Sequence, residues 1–581
     1  LQVGVFTRAE SIAFLRHQVP RLSASEAHRL AAQVEDLPLA LEQTAALLGE
    51  SGLETEEYLR QLEAQFTQQW IRTLPPEYPR PLAATLGLAF ERLRQDAPAT
   101  ARLLELWAFF GSEPVPRELL SSGGHARLPA ALQAILEDPH RLTRAMNDIS
   151  RYALGRFDRQ TASLQVHRLV RVMLQARLPG RRGEQVRNRV HRILAAAIPE
   201  APPDNETTWA RREQIAPHVV PAGAIDGTTE HAREVVLDQM RYRYLLGDFE
   251  GARDLGEKAL ERWTPLLGPD DEQVLDAGRQ MGNVLRSLGE VGEARRLNAE
   301  VHQRTLARFG PDNLKTLQIA NSVGADLRLQ GDFAGALRLD RQTLRRMVRI
   351  LGRDRDETLR VINNVGIDLR LMGRFQQAYE TDSDAFDRLL GQHGLRHRST
   401  LVAMNQVARD LHGLGRYREA ETLHRQALEM MRETLGHDHA IVLQAEMSRV
   451  GTLRRLGAYQ QARELAEATF ELHRQRFGPE HPDTLAAQRS LAVACAVTGD
   501  AERGRELSEE ASRGYRRLLG ADHPFTHACA TDLALNLRAL GEHEAALLAD
   551  DSALRALQRT LGADHHYSLC CSVGLVHDLF H

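Results

Sequence analysis

The sequence predicts a mainly all-α chain, most of it an α-solenoid of repeated helix pairs, preceded by helical segments that carry one small β-hairpin. Three observations lead there. Glycine recurs every 42 residues at Gly247, Gly289, Gly331, Gly373, Gly415, Gly457, Gly499 and Gly541, and a second series follows 21 residues after each, from Gly268 to Gly562. Apolar residues at −4, −8 and −11 from the first-series glycine recur in most units, which is helical spacing. The chain has 581 residues with 43% hydrophobic but only 5% aromatic residues, too long for one core and suited to many small ones.

Each unit reads as helix, turn, helix. A small residue at −7 (Gly282, Gly324, Gly366) lets a second helix approach the first, and another at +5 (Ala252, Ala294, Ala336) opens the second helix's packing face. Segments such as Phe477-Gly478-Pro479-Glu480-His481-Pro482 join the units. Glycine past a helix end tolerates positive φ, and proline suits the first turn of the next helix.

This pattern of small, apolar, glycine and alanine positions resembles the tetratricopeptide (TPR) family, in the 42-residue form of kinesin light chains. The resemblance covers 230–581, about eight repeats and part of a ninth, so the chain is expected to end inside the array. It implies a superhelix whose first helices line a concave groove. Groove positions −13, −10, −9, −6, −3 and −2 then include Asn283, Asn321, Asn363 and Asn405, together with Arg286, Arg328, Arg370, His412, Arg454 and Arg538. Asn can both donate to and accept from an extended peptide, and Arg offers a fork to a carboxylate. Two readings stay open: this stripe binds a ligand, or it is a solvated face in which Arg pairs with Asp326, Asp368 and Asp410 at −5. Positions −3 and −5 do not face each other on one helix, so any such pairing has to run between repeats or to other helices.

His397, His439, His481, His523 and His565 recur once per repeat in the connecting loops. That spacing does not converge on one ion, so no metal site is expected and a capping or packing role is. Cys495, Cys529, Cys570 and Cys571 lie on apolar helical stretches without a C-x-x-C pair, which fits reduced core thiols of a cytoplasmic protein.

Residues 1–80 are expected to be helical, with Leu37-Pro38-Leu39-Ala40-Leu41 opening one helix. They resemble the end of the NB-ARC module of STAND signalling ATPases, where a GLPLAL motif lies beside nucleotide; Asp36 stands where that motif has Gly. Residues 81–180 resemble the winged-helix subdomain that follows, with a ribbon of Arg151–Phe157 and Ser163–Val166 around Asp158-Arg159-Gln160. Residues 181–229 form a helical connector. The resemblance implies that Pro38 and His167 contact nucleotide in a longer parent protein, His167 matching the histidine of an MHD-like motif whose Asp is here Leu169. A histidine at a strand–helix junction also serves simply in packing.

The nucleotide-binding core itself is expected to lie upstream of Leu1. No G-x-x-x-x-G-K-[ST] occurs, and the only lysines are Lys258 and Lys315. This chain is therefore expected to be no enzyme and to hold no cofactor, with ADP or ATP belonging to the parent. Phrases such as Val323-Gly324-Ala325-Asp326-Leu327-Arg328 are also similar to actinobacterial TPR proteins of FxSxx-COOH peptide systems. A balance of 74 Lys+Arg against 78 Asp+Glu argues against binding to DNA or an acidic membrane through net charge. The abundant Arg reads as coding bias, except at −3, where position gives it a use.

The expected function is that of a sensor fragment. Its array binds a peptide or protein and relays that event to an upstream nucleotide switch, with oligomerisation on activation left open. Two alternatives remain: a transcriptional regulator touching DNA through Arg168, Arg171, Arg177, Arg181 and Arg182, and a passive TPR scaffold.

Overall fold

A computed structural model describes residues 5–580, in which 29 α-helices and three short strands are found among the described residues. The chain divides into two compact units, one running to Pro203 and through Thr207–Tyr242, the other comprising Asp204–Glu206 and Arg243–His581. The helix Glu230–Leu246 crosses that division. None of the helices searched is long and apolar enough to cross a membrane.

In the first unit, helices Arg8–Gln18 and Ala24–Gln33 each begin with a capping box, Thr7 with Glu10 and Ser23 with Glu26. Pro38 opens the helix Pro38–Ser51 at its first turn, as its sequence position predicts. Asp36 has φ 54, the left-handed conformation that Gly takes most easily. Asp tolerates the conformation, and its carboxylate is held by Arg8 at 2.6 Å.

The expected ribbon is shorter than the sequence suggested and has a third strand. Strands β1 (Val115–Pro116), β2 (Arg156–Asp158) and β3 (Ser163–Gln165) form an antiparallel sheet in the order β1-β3-β2. Arg151 ends the helix Pro139–Arg151, and Ala153, at φ 51, turns the chain before β2 can start. Val115 pairs with Leu164, a long-range partner that local alternation did not reveal.

The second unit is a regular stack. First helices such as Leu314–Leu329, Asp356–Leu371 and Ala440–Arg455 have 16 residues, and second helices such as Phe333–Leu351, Phe375–His393 and Tyr459–Phe477 have 19. Every glycine of both series has φ between 73 and 99. The period is therefore a backbone requirement as well as a sequence pattern.

The −7 glycines have a separate use. A Cβ on Gly324 or Gly366 would come within 2.6 or 2.0 Å of a carboxylate oxygen of Asp340 or Asp382 on the second helix of the same repeat. The small residue gives that carboxylate its seat. Between the pairs lie small cores of Leu, Val, Met and Ala, for instance Leu401, Met404, Ala427, Leu428 and Met431. Cys495, Cys529 and Cys571 are buried, the last two with thiols pushed up to about 12 chiefly by burial. Cys570 departs from the expectation and is exposed, because it occupies the outward side of its helix.

Candidate binding surface of the repeat array

The −3 arginines join consecutive repeats. Arg286 Nη1 donates to Asp326 (3.2 Å), Arg328 to Asp368 (2.9 Å) and Arg370 Nε to Asp410 (2.6 Å), each acid lying 40 residues on. A second carboxylate comes from the second helix of the arginine's own repeat: Asp340 for Arg328 (2.8 Å) and Asp382 for Arg370 (2.8 Å). In the repeat of Arg286 the second-helix position holds Asn298, whose amide donates to Asp326 at 2.7 Å. Arg538 likewise donates to Asp550 at 2.7 Å. The carboxylates of Asp340, Asp368, Asp382 and Asp410 are all essentially inaccessible to solvent.

Of the two readings left open, this ladder is the pairing of −3 arginines with the −5 aspartates of the next repeat: Arg328 and Arg370 are held between two buried acids and cannot offer a bidentate face to a ligand. The physical reason is that stacking brings −3 of one repeat against −5 of the next, a contact hidden within any single helix. One guanidinium facing two carboxylates also leaves a charge surplus. Burial, and then Asp340, push the Asp368 carboxyl up to about 7 against the pull of Arg328, and Asp382 is raised well above its usual range in the same way. Both carboxyls thus hold a proton more tightly than a free aspartate does.

The asparagines differ among themselves. Asn405 is buried and accepts from His424 Nδ1 at 3.0 Å, so it belongs to the packing of its own helix pair and not to a groove. Asn283 accepts from Arg286 Nη2 (2.6 Å) and from the Ser322 hydroxyl (3.0 Å). Asn321 and Asn363 each keep a buried Oδ1 without a hydrogen-bond partner. His412 takes the −3 place in its repeat and meets the Thr452 hydroxyl at 3.1 Å, a neutral rung where the preceding repeat has Arg370 and Asp410. Burial pushes its imidazole down to about 4, so it is neutral near pH 7.

The loop histidines do cap, and they also do something the sequence did not suggest. Nδ1 of His439, His481, His523 and His565 accepts the backbone N–H two residues on (3.1–3.2 Å). Nε2 of each donates to the carbonyl of Leu245, Ser287, Leu329 or Leu371 respectively, 194 residues earlier (2.7–3.1 Å). The superhelix therefore meets itself between four and five repeats later. Each neutral imidazole starts one helix and satisfies an end carbonyl of another. Aromatic pairs strengthen the seam, with Phe249 stacked on Phe477 at 6.4 Å and Phe333 near Phe525 at 6.1 Å. A Cβ on Gly331 would come within 2.6 Å of Pro524, so this turn glycine serves the seam as well as the backbone.

In the first unit, Pro38 lines a cleft of about 770 Å³ with Phe6, Phe14, Leu39, Ser150 and Arg151. His167 is not among its lining residues. It caps the helix Arg168–Ala176, its Nδ1 accepting from Leu169 N–H at 3.2 Å, and burial lowers its pKa. Of the arginines considered for DNA, Arg177 is paired with Glu91 and packed over Trp70 and Phe90, and Arg182 donates to Glu105 at 2.5 Å.

Comparison with known proteins agrees with this architecture. A family described as "Tetratricopeptide repeat" matches residues 273–347, 315–389, 357–433, 399–450, 442–500 and 490–559, and this part of the chain consists of tetratricopeptide repeats. Residues 88–182 match a family described only as a domain of unknown function, DUF7779. No curated protein matches. Among solved structures, a Signal Transduction ATPase with Numerous Domains (STAND) from Pyrococcus horikoshii, with a tetratricopeptide repeat sensor, is similar over 96% of this chain and 74% of its own. Its identity is 13% and its TM-score 0.50, a likeness of fold. Kinesin light chain TPR-like repeats from Podosopora anserina are 24% identical over 35% of this chain and 95% of theirs, at a TM-score of 0.29. A Rap protein complexed with Competence and Sporulation Factor is 12% identical over 60% of this chain and 98% of its own, at a TM-score of 0.42.

Proposed function

We propose that the array is the sensor of a STAND-type regulator: its first helices bind a peptide or protein segment, and the first unit relays binding to a nucleotide-binding domain upstream. The observation that carries this reading is the division of labour within the repeats. Apolar faces and the arginines Arg286, Arg328 and Arg370 are consumed by packing between repeats, yet the first helices still present part-exposed polar side chains at 42-residue intervals, Asn321 and Asn363 among them. A surface repeated in that way suits an extended chain better than a compact small molecule. The fold shared with the Pyrococcus horikoshii ATPase, whose repeats are a sensor, supports the relay. So does the resemblance of the first unit to the end of an NB-ARC module and a winged helix.

In this reading Pro38 and His167 face nucleotide only in the parent protein, where ATP hydrolysis resides and where ligand binding changes assembly. The chain itself catalyses nothing and works in the cytoplasm. The resemblance to FxSxx-COOH systems makes a peptide with a defined C-terminus the first ligand to try. The DNA alternative loses support because two of its arginines are tied to acids.

Hydrogen exchange on the whole chain, with peptides selected from a random C-terminal library, tests the proposal. Protection is expected along the first helices of the array. Protection confined to the first unit, or no selected peptide at all, overturns it.

A further inference from the structure

At Arg454 the ladder keeps its arginine and loses both acids. Arg328 and Arg370 each meet one acid 40 residues on and another 12 residues on, and Arg454 holds the same −3 place. Counted from Arg454, those positions hold Ala494 and Ala466. Among the described residues Arg454 has no ion pair, and its Nε is buried without a hydrogen-bond partner. One repeat earlier, Arg409 makes a single bond among the described residues, at 3.2 Å, to the neutral Gln406 amide oxygen. Arg455 follows on the same helix, exposed and without an acid.

The acids that act on this group are already engaged. Asp382 and Asp410 are held by Arg370, and Asp532 by Arg489 at 2.7 Å. Glu421, on the neighbouring helix Tyr417–Leu435, is held by Arg449 at 2.6 Å. Arg409 and Arg454 stand on the first helices Arg398–Gly413 and Ala440–Arg455 and remain part-exposed.

We propose that Arg454 and Arg409, with the neutral His412 near them, form a subsite for a carboxylate carried by the bound peptide, either its C-terminus or an acidic side chain. The site rests on the peptide reading above and gives it a place and a charge. Burial, with neighbouring cations, lowers the pKa of both guanidinium groups, Arg409 to about 10. Cations held against burial without a counter-charge are a cost to the fold, which an incoming oxyanion offsets. Arg forks bind carboxylates through short charge-assisted bonds. His412, accepting from or donating to Thr452, keeps a second ring nitrogen for polar contact without adding charge.

Two measurements test the site separately from the peptide reading. Thermal melts in succinate against chloride at equal ionic strength use the dicarboxylate alone. Wild type is expected to shift upward in succinate, R454Q and R409Q to lose the shift, and R345Q, on a second helix, to keep it. R454Q without succinate is expected to melt at or above wild type, because it removes an uncompensated charge. A lower melting point would assign Arg454 to the fold and overturn the site, as would an equal succinate shift in R454Q and wild type.

The second measurement titrates a library-selected acidic peptide, its C-terminal amide and its acid-to-amide side-chain variants into both proteins. R454Q should weaken the acidic peptide about tenfold or more while leaving the neutralised form unchanged. Peptide binding that ignores both substitutions overturns the subsite and leaves the peptide reading standing. A succinate shift lost in R454Q without any peptide binding does the reverse.

Discussion

The repeat around Arg370 and the repeat around Arg454 share a backbone, a glycine pair and a −3 arginine, yet they treat that arginine in opposite ways. Arg370 donates to Asp410, Asp382 and Gln406 and is only 8% exposed. Arg454 meets alanines where those acids would be, and it keeps a buried nitrogen unpaired. In one repeat the guanidinium is part of the fold; in the other the fold tolerates it. A repeat protein can thus keep one architecture throughout and free a chemical group locally by deleting its partners.

The largest effect should come from breaking the ladder. Arg370→Ala leaves Asp382 and Asp410 buried without their cation and is expected to cost about 3–5 kcal/mol, read as a lowered urea midpoint by circular dichroism. Arg454→Ala in the same assay should cost far less or nothing. Similar losses in both would erase the contrast between the two repeats.

A smaller effect is expected at the seam. His523→Ala removes a helix cap and the bond to the Leu329 carbonyl, worth together about 1–2 kcal/mol. Burial holds the His523 imidazole down to about 4. The folded state therefore binds its proton less tightly than the unfolded chain. The stability that the neutral ring contributes is complete above about pH 6.5 and is lost as pH falls from there towards 4. Melting curves across that window should flatten in the variant, and an unchanged slope would contradict the neutral clasp.

The smallest effect sharpens the ladder itself. Asp368, with its carboxyl pushed up to about 7, binds a proton more tightly when folded, so its contribution declines as pH rises from about 4 through 7. Asp368→Asn supplies the donor permanently while Asp340 remains to balance Arg328. It is expected to be neutral at pH 5 and to stabilise by about 1 kcal/mol at pH 8. Destabilisation at pH 8 would mean that both carboxylates are needed in charged form.

Much of this was legible in the residues. The 42-residue glycine series gives the turns, because positive φ is a local demand that Gly meets best. The −7 glycines announced a close approach, and the loop histidines read as caps because a polar group just before a helix has few other uses. The −3 stripe and its −5 aspartates were visible as one of two readings, pairing between repeats or ligand binding, but not the choice between them, since a sequence shows which residues share a helix face and not which neighbour that face meets. The cleft and the short β1 of the first unit left no local signal at all.

The sequence by itself determined the helix pairs, their length, their turns and the positions where something polar repeats. Only the tertiary structure decided which arginines are consumed and which is left over. It alone also showed that the array meets itself 194 residues on. The reason is cumulative geometry: helices and turns follow from neighbours along the chain, whereas rungs and seam depend on the angle between successive pairs, a small rotation summed over repeats that no single repeat encodes.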